Sequence, residues 1–271
     1  MAFLEVARTG GITAWKASNS YAEAERAVAR YLAALSLSEK PVLDRMRDPS
    51  WSRRKLNGGG DKLHFAGNAV SIESAAEPLD WAGGVWLTSL QIFRDGLAVA
   101  RLDDWAKEKA ALLLLFFVDG QWRIASEISV TAEHGDNEAA MQFKTAEPDV
   151  LATLERFYDA VERCERQELH AIADENWSAK RHGCERGLVA EDMASFIARI
   201  DTAPPHLHRE NCHVADVQIL HNRLACVRID TPRLAQTAVF LLCRRGQDWV
   251  IAEKVSASGA AVESVPHRLA M

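Results

Sequence analysis

The sequence predicts an α+β protein made of two tandem copies of one unit, helices first and antiparallel strands after. Three observations carry that prediction: an internal repeat, a helical-period apolar stripe opening each copy, and alternating or continuous apolar runs closing it. Shifted by 127 positions, Gln91–Asp103 lies over Gln218–Asp230 with six identities in thirteen. At the same shift Trp122–Ser129 lies over Trp249–Ser256 with four identities in eight, and Tyr31 falls on Tyr158. One slipped residue then places Leu43 on Leu169 and Trp51 on Trp177. Chance matches do not keep one order and nearly one offset along a whole unit.

The first copy opens with Ser20 and Glu23 at capping-box spacing, and Ala27, Val28, Tyr31, Leu32 and Leu35 form the stripe. In the second copy Pro148 suits a first turn, and Leu151, Leu154, Phe157, Tyr158, Val161 and Cys164 supply the stripe. Shorter helices are expected at Pro41–Arg47 and Gln167–Asp174, with a third, in the second copy alone, at Leu188–Ile200. In the first copy Glu77-Pro78 and Gly83-Gly84 break that pattern. Among the strands, Leu97–Asp103 and Leu224–Asp230 alternate, whereas Leu112–Val118 and Ala238–Cys243 are continuously apolar, as in strands covered on both faces. Asp119-Gly120-Gln121 and Arg245-Gly246-Gln247 provide hairpin glycines. In the last strands Trp122, Ile124 and Ile128 should share a face, as should Trp249, Ile251 and Val255. The stretch 132–148 is polar and reads as an exposed connector.

Composition sets limits on partners. The chain has 271 residues, 48% hydrophobic and 26% charged, with a net charge of −6, so no global basic field would draw in nucleic acid or an anionic membrane. Its longest apolar run, Ala110–Val118, is less than half of the ~20 residues a membrane span needs. The N-terminus lacks the basic and apolar regions of a secretory signal, which makes the expected location cytoplasmic. Five cysteines, an odd number with no Cys-x-x-Cys pair, read as reduced thiols. Gly58-Gly59-Gly60 is not followed by Lys-Ser/Thr, and no nucleophile elbow stands out.

Helix, helix, then strands ending in an apolar run, Asp-Gly-x-Trp and an alternating strand: this order resembles the nuclear-transport-factor-two-like superfamily. Val99–Trp105 and Leu112–Ile124, repeated as Val227–Asp230 and Val239–Ile251, are most similar to its lumazine-binding and polyketide-cyclase-like branch. The resemblance covers about Tyr21–Val130 and Val150–Ser256. It implies two cystatin-like, cone-shaped domains, each with N-terminal helices packed on a curved antiparallel sheet around a pocket, and sheets that pair as an intrachain pseudo-dimer. The domains would be residues 1–135 and 145–260, with 136–144 as linker and 261–271 as a C-terminal tail. The superfamily includes a ketosteroid isomerase, a scytalone dehydratase, polyketide cyclases and many non-catalytic proteins, so the fold assigns no reaction. In isomerase-like members a carboxylate base follows the second helix. Here those stretches are Trp51-Ser-Arg-Arg-Lys-Leu56 and Trp177-Ser-Ala-Lys-Arg-His182, both basic, which disfavours ketosteroid-type proton abstraction. Arg53, Arg54 and Lys55 read as a solvated rim or a contact for an anionic ligand.

Several residues are candidates for chemistry. Arg101/Asp103 and Arg228/Asp230 persist in both copies, on the strand face that carries Leu97 and Leu224, either as pocket clusters or as ion pairs in a sheet interface. Glu253 replaces Ser126 of the first copy; lining a pocket it would be a carboxylate of raised pKa, at a strand end an ordinary exposed acid. His182 and Tyr158 join it as catalytic candidates in the second copy. Tyr31, Trp51, Arg54, Trp105 and Trp177, with the Arg-x-Asp pairs, are ligand-binding candidates, although Trp15, Trp51, Trp81, Trp86 and Trp105 also suit plain packing. His206, His208, Cys212 and His213 are ligand-like in type but match no metal-site spacing, so neither metal nor cofactor is expected. The expected function is binding of a small molecule in a mostly apolar pocket. The alternatives are a lyase, isomerase or cyclase acting in the second-domain pocket and a structural or interaction pair without ligand. Whether it is an enzyme stays open, as does whether the chain is a monomer or a homodimer.

Overall fold

In a computed structural model of the chain, the described residues are 14–56, 63–67, 84–93, 96–132, 139–183, 187–202 and 212–258. Trp81, the Gly58–Gly60 run, His206, His208 and Cys184 lie outside them, as does the side chain of Trp15. Two helices open the first copy, α1 (Ala14–Ser36) and α2 (Lys40–Met46), and six strands follow: β1 (Arg47–Leu56), β2 (Leu63–Gly67), β3 (Val85–Phe93), β4 (Leu97–Asp104), β5 (Lys109–Val118) and β6 (Gln121–Thr131). The second copy repeats the order as α3 (Ala139–Arg163), α4 (Arg166–Ile172), β7 (Ala173–Gly183), β8 (Gly187–Asp192), α5 (Met193–Thr202), β9 (His213–Leu220), β10 (Leu224–Thr231), β11 (Gln236–Arg245) and β12 (Asp248–Ser258). Strand order is β2-β1-β6-β5-β4-β3 in one sheet and β8-β7-β12-β11-β10-β9 in the other. Duplication thus reaches the topology, and the fold is α+β in tandem.

Each sheet is mixed rather than antiparallel. β1 runs parallel to β6, and β7 to β12, because the strand after the second helix docks beside the last strand of the meander. The segment Trp51–Leu56 is therefore a strand, not a rim, and Arg54 in its middle is fully buried. The region expected as one helix at Leu188–Ile200 divides into β8 and α5, whose Met193, Phe196, Ile197 and Ile200 form the buried face. α1 and α3 also begin earlier than their signals implied. Ser20 is inside α1, Pro148 is inside α3, and the connector from Ala139 onward is helical. Both copies leave the first helix through a residue of positive φ, Ser38 (55°) and Cys164 (54°).

Three apolar clusters fix how the layers meet. α1 and α2 cover one face of the first sheet through Val28, Tyr31 and Leu35 against Leu113, Leu115 and Ile124. In the second copy α3, α4 and α5 cover the matching face through Phe157, Leu169 and Phe196. The third cluster lies between the sheets, where Leu112, Leu114 and Ile128 meet Val239, Leu241 and Val255. Alternate residues of β5 enter different clusters, which is why its sequence is apolar without a break. The two copies pair face to face within the chain.

A bulge in each long strand decides what enters that seam. Ser126 pairs with Leu114 but Ile124 with Leu115, so Ala125 is the extra residue; in the second copy Ala252 sits between Ile251 and Glu253 in the same way. An extra residue reverses the alternation beyond it. Trp122 and Ile124 face the helices while Ile128 faces the seam, and Trp249 and Ile251 are divided from Val255 likewise. The single face expected for each strand does not form.

Candidate functional site

The seam is closed by ions. Arg54 Nη1 donates to Glu253 Oε2 at 2.7 Å and to Ser52 Oγ at 3.0 Å, and Nη2 reaches Ser178 Oγ at 2.9 Å and the Asn176 carbonyl at 3.0 Å. Lys180 Nζ lies 2.9 Å from Glu253 Oε1 and donates to the Ala125 carbonyl at 2.6 Å. The three charged side chains are at most 1% exposed. Burial pushes the Glu253 carboxyl up, but Lys180, Arg54 and the Ser126 hydroxyl outweigh it and hold the group below the usual carboxylate range. Lys180 is lowered by burial, partly offset by Glu253. Across the two copies Arg54 answers Lys180, and Ser126 answers Glu253, so one carboxylate serves two cations, one from each copy.

The catalytic candidates do not converge. Glu253 faces the seam, neither a pocket nor water, and its pKa moves opposite to the direction expected of a pocket acid. His182 also lies at the seam, stacked on Phe116 of the first copy at 5.7 Å, and burial lowers its pKa. Tyr158 is on α3 within the core between that helix and its sheet, and burial, with Cys212 nearby, raises it well above the ordinary phenol. Arg101 and Asp103 pair within their strand at 2.9 Å, as Arg228 and Asp230 do at 3.0 Å. Both pairs are on the seam side of their sheets, and Arg228 lies over Phe93 of the first copy at 5.0 Å. Trp105, 70% exposed, occupies the turn after β4. Trp51 and Trp177 line one cleft of about 590 Å³ between the copies, with Ser52, Ser178 and Lys180. Cys164, Cys212, Cys226 and Cys243 are free thiols, and among the described residues no set of three or more His, Cys, Asp or Glu could hold a metal ion.

Three residues that carry the strongest contrast between the copies, Arg47, Glu127 and Lys254, were not candidates. On the helix-facing side of the first sheet, Tyr31 donates to Glu127 Oε2 at 3.0 Å, and Arg53 Nε lies 3.2 Å from Glu127 Oε1. Arg47 covers the Trp51 ring at 3.9 Å and donates to the Tyr31 hydroxyl at 3.4 Å. Burial and Glu127 push Tyr31 up to about 12. In the second sheet the equivalent positions, set by the strand registers, are Ala173 for Arg47, Ala179 for Arg53 and Lys254 for Glu127. Lys254 Nζ lies 5.7, 5.8 and 5.7 Å from the ring centroids of Phe157, Phe196 and Phe240. It makes no hydrogen bond or ion pair among the described residues. Glu191, the carboxylate that acts on it, is itself held by Arg199 at 2.7 Å and Arg181 at 3.5 Å. Burial, with Arg199, lowers the Lys254 amine to about 8, and the residue stays partly exposed. Trp177 stands edge-on to Phe196 at 5.1 Å, and its indole N–H has no acceptor among the described residues. The signal that could have found this site was the difference between the copies, not their identity.

No protein-family model matches the sequence, and no curated protein matches it. Solved structures similar to parts of the chain are NTF2-like and cystatin-like fold proteins. An NTF2-like protein of unknown function from Silicibacter pomeroyi is 19% identical over 42% of this chain and 95% of its own, with a TM-score of 0.37. A cystatin-like fold protein from Burkholderia xenovorans is 11% identical over 44% of this chain and 95% of its own, with a TM-score of 0.34. A ketosteroid isomerase-like protein from Erwinia carotovora atroseptica is 12% identical over 41% and 93%, with a TM-score of 0.29.

Proposed function

We propose that the second copy binds a small, mostly apolar molecule against Phe157, Phe196 and Phe240, with Lys254 meeting a polar or anionic group on it. The first copy, its inner face filled by its own side chains, serves as architecture. One observation carries this reading: two arginines and a glutamate that tie off the first copy become Ala173, Ala179 and Lys254 in the second. Replacing two long side chains by methyl groups removes volume, and Phe196 of α5 packs on Phe157 at 6.0 Å and on Trp177 at 5.1 Å. What is left is an ammonium among aromatic rings, the arrangement in which a desolvated cation has most to gain from a partner.

Titration with 1-anilinonaphthalene-8-sulfonate, apolar and singly anionic, tests it. The expected result is one saturable site per chain, weakened about ten- to a hundredfold in Lys254→Met, since a hydrogen bond to a charged group contributes about 1.5–3 kcal/mol. Tyr31→Phe in the first copy should leave it unchanged. Absence of saturable binding, or sensitivity to Tyr31→Phe with none to Lys254→Met, overturns the assignment.

A further inference from the structure

We infer that a cleft at one end of the first copy binds the phosphoryl group of a small phosphate monoester, a role beyond the architecture of that copy's filled inner face and independent of the Lys254 site. The cleft, about 490 Å³, lies where the end of α2 meets the starts of β1 and β6, and its charged lining is Asp44, Arg45, Arg47, Asp48 and Arg123. That volume is in the range of small-molecule sites. Arginines elsewhere in the molecule hold an acid closely, as Arg53, Arg54, Arg101 and Arg199 do at 3.2 Å or less. Those of the cleft do not. Among the described residues Arg45 and Arg47 pair with no carboxylate, and Arg123 meets only the exposed Asp119, at 3.9 Å.

The two acids of the lining leave the guanidinium groups available. Asp48 accepts from the Ser50 amide at 2.8 Å and from its hydroxyl at 2.6 Å, and Asp44 is exposed, where solvent screens it. Two of the arginines are seated in advance: Arg47 lies over the Trp51 ring at 3.9 Å, and Arg45 Nε donates to the Pro41 carbonyl at 3.0 Å. Groups already ordered lose less freedom on binding. Guanidinium forks match phosphoryl oxygens in pairs, and a monoester carries nearly two charges at neutral pH where a carboxylate carries one. The second copy shows that the shared fold does not require these cations. There Arg45, Arg47 and Arg123 become Ala171, Ala173 and Val250, and Asp174, which answers Asp48, is closed by Arg245 at 2.6 Å.

Titration calorimetry with β-glycerophosphate, too polar for an apolar seat, tests the site, with glycerate as the singly charged comparison. The expected result is one saturable site per chain, at least about tenfold weaker for glycerate, and displaced by inorganic phosphate. Arg45→Gln/Arg123→Gln should weaken it about tenfold or more. Arg156→Gln/Arg163→Gln, which removes the same charge from exposed positions of α3, should leave it unchanged. In the parent protein, β-glycerophosphate should slow phenylglyoxal modification of Arg45 and Arg123 but not of Arg156, a readout that needs no variant to fold. Absence of saturable binding, equal affinity for glycerate, equal loss in both double variants, or no protection of Arg45 and Arg123 overturns the inference and leaves the second-copy reading standing.

Discussion

Lysine at position 254 is costly to the fold, and the cost has a sign that can be measured. Its amine titrates near 8 in the folded chain against 10.5 for a free lysine. Between those values the unfolded chain binds the proton that the folded chain has released, so the contribution of this group to stability climbs with pH across that window. Below pH 8 both states are protonated and the folded state bears the full penalty of an ammonium among rings. Lys254→Met should therefore be more stable than the parent at pH 7, by up to about 3 kcal/mol, with the advantage gone near pH 10.5. Tyr31, raised to about 12, makes stability fall above pH 10, but it is common to both proteins and cancels in the difference. Urea midpoints at pH 7 and pH 10 measure the effect; a variant equally destabilised at both would mean that Lys254 is a packing residue. A residue retained against stability is what a functional group looks like from the folding side.

At the scale of elements, the strands and hairpins were legible and the bulges were not. Period and apolar runs located β4, β5, β10 and β11 because a strand's inward residues are constrained by burial. The bulges at Ala125 and Ala252 left no such trace, since alanine suits either face, and they alone turn Glu253 from the helix side to the seam. β1 and β7 were hidden by their charges: Arg54 and Lys180 look solvent-bound in sequence, and only the partner across the seam explains their burial. Position 254 was passed over because one lysine next to Glu253 in a strand reads as an outward residue. The hairpins are a different case, since their glycines act through local backbone geometry. Gly120 has φ of 76° and Gly246 of 61°, and an added Cβ would meet nothing within 4 Å at either. Steric clash is thus absent and only the left-handed backbone is penalised, about 1 kcal/mol for a non-glycine residue. Gly120→Ala and Gly246→Ala should each lower the melting temperature by roughly 3 °C, and the double variant by the sum. Calorimetry showing no change at Gly120 would indicate a hairpin that relaxes to another turn.

Over the whole molecule, the divergence of the copies explains why they pair with each other. Two first copies brought together would bury two Arg54 side chains opposite serines at position 126, with no acid between them. An uncompensated buried charge is strongly unfavourable, whereas the mixed seam supplies Glu253 to both Arg54 and Lys180. Specificity therefore resides in one carboxylate, while affinity comes from the apolar contact of Leu112, Leu114 and Ile128 with Val239, Leu241 and Val255. A covalent connection should then be dispensable once the chain has folded. With a protease site placed between residues 133 and 138 and cleaved in the native protein, the two fragments should co-elute as a one-to-one complex on size exclusion. Glu253→Gln leaves Arg54 and Lys180 buried without a counter-charge, a loss of about 3–5 kcal/mol. In the cleaved protein that loss falls on association itself, so the variant's fragments should separate at concentrations where the parent's remain together. Uncleaved Glu253→Gln keeps the copies at high effective concentration and should stay monodisperse, with a lowered urea midpoint. Parent fragments that part on cleavage would show that the linker, not the seam, holds the copies; fragments that stay together equally well with and without Glu253 would remove the carboxylate from that role.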